Sequence, residues 1–177
     1  MYNIGFLGVV RYERENLKLI TAFKNSDVLK FCYIGRIYPE CKLREFCENH
    51  SITNVTFKPE FSNEEKPELY KNIDMINAVY GSNSIEVTTA LPNKLYDALI
   101  FKKPMLVSKN TYLSSIVDAY NLGVSINIDT DNIKDVILNY INHYNRQEFF
   151  SGTEKFLRKV LLDQEIYKKR IDEFIRL

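Results

Sequence analysis

The sequence is poor in the features that mark special structural or functional classes. It has no tryptophan, only three cysteines, six glycines and five prolines, and a formal net charge of +1. A charge this small provides no extended cationic surface for a polyanion, so we expect no nucleic acid partner.

No apolar run reaches the roughly 18 residues that a membrane-spanning helix needs, and Met1 leads directly into an apolar strand. We therefore expect no secretion signal and no transmembrane segment. The predicted localisation is cytoplasmic, with peripheral attachment to the inner face of the membrane left open.

The three cysteines form an odd set in a chain without a predicted secretion signal. Cys32, Cys41 and Cys47 are therefore expected to be free thiols in a reducing compartment. Cys41, Cys47 and His50 suggest a zinc site, but only Cys47 and His50 have a helical spacing and no fourth ligand stands nearby. We expect no metal site.

Predicted strands and helices alternate along a chain that is long enough to form one well-packed core. The predicted strands cover residues 2–9, 28–37, 55–61, 75–80, 105–108 and 123–128. The predicted helices cover residues 14–25, 39–50, 67–70, 92–101, 113–120 and 131–144, the last with Asp131 as its N-cap. This order predicts an α/β fold with a doubly wound, mostly parallel sheet, whose ligands bind beyond the carboxyl ends of the strands.

Residues 88–108 carry the chemistry of the predicted fold: a polar loop at 88–91, a helix opened by Pro92, and a buried strand. At 100° per residue, Asn93, Lys94 and Asp97 share one face of the helix, and Leu95, Ala98 and Leu99 share another. A cation and a carboxylate near a helix N-terminus suit a ligand with phosphate and hydroxyl groups. A solvated ion pair between Lys94 and Asp97 is the competing interpretation.

The segment Leu91-Pro92-Asn93-Lys94-Leu95-Tyr96-Asp97-Ala98-Leu99, followed by Lys103-Pro104-Met105-Leu106-Val107-Ser108, resembles a family signature. That signature, Pro-Asn-Lys-x-Phe/Tyr-Glu-x-Leu/Met followed by Gly-Lys-Pro-Val/Ile, belongs to retaining, nucleotide-sugar-dependent glycosyltransferases of the GT-B fold. The similarity is greatest to those that build bacterial capsular and surface polysaccharides. It covers residues 1 to about 128, in the pattern of the C-terminal, donor-binding half. Asp97 replaces the family's Glu, Lys102 replaces its Gly, and a second family Glu falls at Thr89, with Glu86 the nearest carboxylate upstream.

The resemblance implies roles for individual residues. Arg11 and Lys94 would bind the donor diphosphate and stabilise it as the leaving group, which makes them the predicted catalytic residues. Asp97 would bind the ribose, and Lys58 and Pro59 would contact the base. The full predicted donor-binding set is Gly8, Lys58, Pro59, Thr89, Asn93, Lys94 and Asp97, with Thr88 beside it; Gly8 is included because a glycine lets backbone approach a ligand closely. The resemblance implies no metal or other cofactor; the donor is a nucleoside diphosphate sugar.

A complete enzyme of the GT-B fold has two such domains, and this chain is about half that length. The resemblance therefore implies the donor-binding half of an enzyme that transfers a sugar to a saccharide or lipid-linked acceptor. It would act with a missing N-terminal acceptor domain or a separate acceptor-binding subunit. Alone, it should bind a nucleotide sugar weakly and transfer little. Two alternatives stay open: half of a nucleotide-sugar epimerase, and a noncatalytic flavodoxin-like binding or assembly module.

We divide the chain into a Rossmann-like donor-binding domain over residues 1–145 and a helical extension over residues 146–177. The extension is strongly helical, with apolar residues at Phe149, Phe150, Phe156, Leu157, Val160, Leu161, Ile166, Ile171, Phe174 and Ile175. It would either cross onto an N-terminal domain, as the resemblance implies, or pack against this domain. In the assembly-module alternative it would mediate dimerisation.

Overall fold

The central element is a six-stranded parallel sheet. The computed structural model describes residues 1–176, and all strand pairs in its sheet are parallel. The strands are β1 (Tyr2–Leu7), β2 (Leu29–Ile34), β3 (Val55–Lys58), β4 (Met75–Ala78), β5 (Met105–Ser108) and β6 (Gly123–Ile126). Their order is β3-β2-β1-β4-β5-β6, so the chain winds outward from β1 in one direction and then from β4 in the other. The predicted doubly wound α/β fold is confirmed.

The helices are α1 (Glu13–Ala22), α2 (Leu43–Asn49), α3 (Lys66–Lys71), α4 (Ile85–Thr89), α5 (Asn93–Phe101), α6 (Tyr112–Ala119), α7 (Ile133–His143) and α8 (Arg146–Ile175). A 3₁₀ turn at Asn63–Glu65 precedes α3. Several strands end earlier than predicted. β1 and β2 stop before Gly8 and Gly35, whose φ angles of +121° and +130° take the chain out of the extended conformation.

Two apolar clusters cover the sheet. One contains side chains from α1, α2 and α7, and the other contains side chains from α3, α5, α6 and α8. All residues of β4 and β5 are buried, as expected for central strands of a parallel sheet. Leu95, Ala98 and Leu99 of α5 are at most 1% exposed. The predicted apolar face of this helix is confirmed.

The predicted polar loop at 88–91 is wrong for Thr88 and Thr89, because α4 covers both. Ser84 caps this short helix by accepting a hydrogen bond from the backbone N–H of Val87 at 3.3 Å. The hydroxyls of Thr88 and Thr89 donate back to carbonyls one turn earlier, including that of Ile85. Local side-chain bonds of this kind make threonine compatible with a short helix despite its preference for loops.

The predicted N-cap of α7 is displaced by one residue. Asn132, not Asp131, caps the helix, and its side chain accepts from the N–H of Asp135 at 3.3 Å. Asp131 instead accepts from the N–H of Asn127 at 2.9 Å and from Lys109 Nζ at 2.8 Å. The lysine holds the carboxylate in the turn before the helix, which leaves the cap to the neighbouring amide.

The C-terminal segment forms one long helix, α8, whose first half belongs to the core of this domain. Asn145 caps it by accepting from the N–H groups of Gln147 and Glu148. Phe149, Thr153 and Phe156 are at most 5% exposed. This half packs against the domain, as one of the two predicted arrangements required.

In the second half of α8, apolar residues continue along the face that is buried in the first half, but here their side chains are exposed. At 100° per residue, Tyr167, Ile171 and Phe174 fall in line with the buried aromatic residues of the first half, yet Tyr167 is 64% exposed and Phe174 is 76% exposed. A close approach fixes where the helix crosses the domain, since a Cβ on Gly152 would lie 1.6 Å from the carbonyl oxygen of Tyr120. Among residues 1–176, no helix is long and apolar enough to span a membrane.

Candidate ligand clefts at the switch point of the sheet

The order of the strands creates a crevice where β1 and β4 lie side by side. β1 pairs with β2 on one side and with β4 on the other, and successive connections leave these strands in opposite directions. In open parallel sheets, ligands bind at this position, outside the carboxyl ends of the strands. Gly8 follows β1 and Gly81 lies three residues beyond β4, so both lie at this edge.

The loops after β1 and β2 are held together closely. A Cβ on Gly35 would lie 2.2 Å from the carbonyl oxygen of Gly8, so only glycine fits there. Beyond this contact, the N–H of Val10 donates to the carbonyl of Arg36 at 2.9 Å, and the N–H of Tyr38 donates to the carbonyl of Val10 at 2.9 Å. The two loops therefore present their side chains on a common rim.

A cleft of about 380 Å³ opens at this rim, here called the switch-point cleft. Its walls combine aromatic rings with three cations and one carboxylate. The lining residues are Phe6, Val9, Arg11, Tyr12, Arg36, Tyr38, Tyr80, Glu86, Val87, Ala90, Pro92 and Lys94. The rings of Tyr12 and Tyr80 are in contact, with centroids 4.4 Å apart and their planes tilted by 32°. The cleft thus offers flat apolar surface together with positive charge, which suits a ligand that carries both rings and anionic groups.

Lys94 lies at the base of the switch-point cleft. Its Nζ donates to the Tyr80 hydroxyl at 3.0 Å and sits 3.9 Å from the centroid of the Phe6 ring. Burial lowers the pKa of Lys94 from 10.5 to about 7, Arg11 acts in the same direction, and the charge of Asp97 opposes them. A lysine with this pKa gains its charge when an anion arrives, because the anion stabilises the protonated form.

Arg11 also lines the switch-point cleft. Its guanidinium donates to the Tyr12 hydroxyl at 3.3 Å and lies 3.9 Å from the carboxylate of Glu86. Both side chains of this ion pair are more than half exposed, so a ligand anion can replace the carboxylate at small cost. The structure therefore brings Arg11 and Lys94, the two predicted diphosphate ligands, to one cleft.

A second cleft of about 330 Å³ lies next to the first, on the side of β2 and β3, and is here called the β2–β3 cleft. Its lining residues are Gly8, Val9, Gly35, Arg36, Glu60, Phe61, Asn63 and Lys66. Gly8 lies between this cleft and Lys94, since a Cβ on Gly8 would be 3.8 Å from Lys94 Nζ. The two clefts share Val9 and Arg36 in their walls, and no side chain at Gly8 stands between the β2–β3 cleft and Lys94.

Asp97 is bound by two partners behind the β2–β3 cleft. Lys66 Nζ donates to its two carboxylate oxygens at 3.1 and 3.2 Å, and the Tyr70 hydroxyl donates at 3.0 Å. Lys94 and Asp97 each bind another group in the structure, which does not fit the solvated ion pair considered from the sequence. Two side chains of α3 thus orient Asp97, and one of them, Lys66, also lines the β2–β3 cleft.

Several other residues of the predicted set lie outside both clefts. Lys58 and Pro59 are exposed, and Glu60 and Phe61 take their expected place on the wall of the β2–β3 cleft. Thr89 is exposed at the end of α4, where Glu86, Val87 and Ala90 contribute to the wall instead. Asn93 is exposed at the first turn of α5 and lines neither cleft.

A buried polar network that was not predicted from the sequence supports the rim from below. Asn16 Oδ1 accepts from the Tyr33 hydroxyl at 3.0 Å and from Asn77 Nδ2 at 2.8 Å, while Asn16 Nδ2 donates to the carbonyl of Tyr12 at 2.6 Å. All three side chains are at most 1% exposed. The signal in the sequence was an asparagine within the apolar strand 75–80.

The turn after β4 is fixed by a single hydroxyl. Ser108, the last residue of β5, accepts from the N–H groups of Tyr80 at 3.0 Å and Gly81 at 2.8 Å. These bonds orient the Tyr80 ring toward α5 and thereby toward Lys94. The position of the ammonium group consequently depends on β1, β4 and β5 together.

Several solved glycosyltransferases share this fold. HepE from Anabaena, in complex with UDP-glucose, is 14% identical, with a TM-score of 0.73 over 97% of this chain and 49% of that one. The C-terminal domain of LpcC, a glycosyl transferase group 1 family protein from Francisella tularensis, is 12% identical, with a TM-score of 0.57 over 86% of this chain and 80% of that one. A UDP-forming α,α-trehalose-phosphate synthase from Burkholderia vietnamiensis is 9% identical, with a TM-score of 0.67 over 99% of this chain and 43% of that one.

These likenesses show the fold. The chain spans about half the length of HepE. No protein-family model matches the sequence, and no curated protein matches it either.

Proposed function

We propose that this chain is the donor-binding half of a glycosyltransferase that uses a nucleoside diphosphate sugar. The observation that carries the proposal is the meeting of Arg11 and Lys94 in one cleft at the switch point of the sheet. A fold shared with a solved complex of UDP-glucose supports it. The acceptor we propose is a saccharide or a lipid-linked saccharide, in the synthesis of capsular or surface polysaccharide.

In the proposed complex the donor occupies both clefts. The nucleoside lies in the β2–β3 cleft, near Phe61 and the Lys66–Asp97 pair, and the sugar lies in the switch-point cleft beneath Tyr12 and Tyr80. The diphosphate then passes over Gly8, where no side chain obstructs it. This arrangement places the negative charge of the leaving group next to Lys94.

Catalysis in this proposal is electrostatic stabilisation together with positioning. Arg11 and Lys94 stabilise the charge that develops on the leaving diphosphate, in a cleft where the aromatic walls reduce its exposure to water. Since these two cations supply the positive charge, we propose that donor binding requires no metal ion. Addition of a chelator should leave the affinity for the donor unchanged.

We propose that a second domain or subunit binds the acceptor and covers the outer half of α8. The exposed residues Tyr167, Ile171 and Phe174 lie on the helix face whose N-terminal part is already buried on this domain. An apolar surface of the second domain or subunit could pack on them and continue the apolar core. The length of the chain, about half that of HepE, supports this division.

The test is a calorimetric titration of the chain with UDP, GDP and UDP-glucose. We expect saturable binding of at least one of these at millimolar concentration or below. Lys94→Met and Arg11→Met should each weaken it at least tenfold, and Lys71→Met, which removes an exposed lysine of α3, should not.

A folded chain that binds none of these ligands at several millimolar would overturn the proposal. Association of the chain that increases with concentration in sedimentation experiments and is lost in Phe174→Ser would then favour the assembly module.

A further inference from the structure

Arg36 stands where the two clefts meet. It lines both the switch-point cleft and the β2–β3 cleft, and the only other residue with this property among those described is Val9. A ligand that fills both clefts must therefore pass Arg36.

The backbone around Arg36 is fixed, whereas its side chain is not. Its carbonyl accepts from Val10 at 2.9 Å, and the preceding Gly35 packs against Gly8. No carboxylate of residues 1–176 forms an ion pair with its guanidinium, and the residue is exposed. A charged side chain on a rigid support, without a partner, is ready to bind an anion at this junction.

The other two cations of the switch-point cleft are each less available to an anion. Arg11 shares its charge with Glu86, and Lys94 is enclosed by Phe6 and Tyr80 in surroundings that lower its pKa. Arg36 combines a permanent charge with a guanidinium that has no ion-pair partner among residues 1–176, and a guanidinium can donate two parallel hydrogen bonds to a phosphate group.

We propose that Arg36 binds the bridging diphosphate of the donor, as a third cation beside Arg11 and Lys94. The inference rests on the proposed function, since it assumes a ligand with a nucleoside in one cleft and a sugar in the other. It assigns Arg36 to the phosphate groups and not to the base, because the residue lies at the junction and not at the far wall of the β2–β3 cleft.

Titration of UDP-glucose into matched variants tests this assignment. Arg36→Met should weaken binding at least tenfold with an unchanged melting temperature. Arg36→Lys should weaken it less, since it keeps the charge but loses the paired donors. The control is Arg44→Met, because Arg44 lies over the Phe57 ring and lines neither cleft. This variant should bind UDP-glucose as the original chain does. Arg36→Met should also reduce the dependence of the affinity on salt concentration, as expected when one ionic contact is lost.

The two proposals fail in different ways. If the original chain binds UDP-glucose and Arg36→Met binds it within twofold with the same salt dependence, the role of Arg36 is refuted and the proposed function stands. If the original chain binds no nucleotide, both are refuted.

Discussion

Lys94 Nζ lies 3.9 Å from the centroid of the Phe6 ring, so the first strand of the sheet supplies the surface on which the main cation of the cleft rests. Phe6 is 1% exposed and belongs to the apolar core of the domain. Attraction between an ammonium group and a ring stabilises the cation by about 1–2 kcal/mol when the site is desolvated. The pKa of Lys94 is nevertheless lowered to about 7, so the cost of burial is the larger effect.

This low pKa predicts that the stability of the protein rises with pH above neutrality. Between about pH 7 and pH 10.5, the unfolded chain holds a proton on Lys94 that the folded chain has released, so the free energy of unfolding increases with pH. Urea denaturation at pH 7.0 and pH 9.5 should show this increase in the original chain and in Lys71→Met. Lys94→Met should lack it, and an equal increase in that variant would refute the prediction.

The comparison of stability stops at pH 9.5 because the ionisation of tyrosine affects it at higher pH. Burial raises the pKa of Tyr80 in the folded chain, so ionisation of this tyrosine in the unfolded chain, near pH 10, favours unfolding. Burial also raises the pKa of the Cys41 thiol, and that of Cys47 to about 11, so ionisation of these thiols in the unfolded chain near pH 9 favours unfolding as well. The thiols and the tyrosine oppose the lysine, and the difference between the original chain and Lys94→Met isolates the contribution of the lysine.

Binding of UDP-glucose should have the opposite dependence on pH. The diphosphate stabilises the protonated form of Lys94, so the complex takes up a proton when it forms above pH 7, and its affinity falls as the pH rises. Calorimetry at pH 8 in two buffers of different ionisation enthalpy measures this uptake. We expect up to one proton per complex, none in Lys94→Met, and an affinity loss of at most about tenfold per pH unit. An affinity that is constant from pH 6.5 to 8.5 would contradict the prediction.

The Lys66–Asp97 pair is expected to contribute to stability as a coupled unit. The side chains are 24% and 16% exposed, and the Tyr70 hydroxyl also donates to the carboxylate. Asp97→Ala should lower the free energy of unfolding by about 1–3 kcal/mol, because it leaves a half-buried ammonium group and a hydroxyl without their acceptor. The double variant Lys66→Met, Asp97→Ala should lose less than the sum of the two single variants. Additive losses in urea denaturation would show that the pair is not coupled.

The sequence predicted what depends on local pattern. The apolar face of α5 and the buried strand β5 follow from the periodicity of apolar residues, and the structure contains both. The partner of Asp97 could not be predicted, since Lys66 lies 31 residues away in another helix. Contacts across the sheet depend on how the helices pack, and no periodicity in the sequence encodes that packing.

Packing between distant parts of the chain also explains why Glu60 and Phe61, and not the predicted Lys58 and Pro59, line the β2–β3 cleft. Strand β3 was predicted to end at residue 61, but it ends at Lys58, whose carbonyl accepts from the N–H of Gly35 at 3.1 Å. A pairing register of this kind is set by the neighbouring strand. The loop that faces the cleft therefore contains Glu60 and Phe61.

Lys102 should be replaceable by glycine with a gain in stability. It ends α5 with φ of 53° and ψ of 51°, in the left-handed region that costs other residues about 1 kcal/mol relative to glycine. Lys102→Gly should raise the free energy of unfolding by up to about 1 kcal/mol, less the contact that its ammonium makes with Phe150 at 4.9 Å from the ring centroid. The control Lys103→Gly, one residue past the left-handed position, should show no gain. A loss of stability in Lys102→Gly would refute this explanation.

Asn16 should connect the stability of the domain to the shape of the cleft. Asn16→Ala removes three hydrogen bonds and leaves the Tyr33 hydroxyl and the Nδ2 of Asn77 buried without their acceptor, so the free energy of unfolding should fall by about 2–4 kcal/mol. Tyr33→Phe removes one of these bonds and leaves the bond to the carbonyl of Tyr12 intact, so it should cost about 1 kcal/mol. At a temperature where both variants are folded, Asn16→Ala should also weaken UDP-glucose binding, because the Tyr12 ring loses its support, whereas Tyr33→Phe should not. Equal affinities for the two variants would show that the network stabilises the fold without positioning the rim.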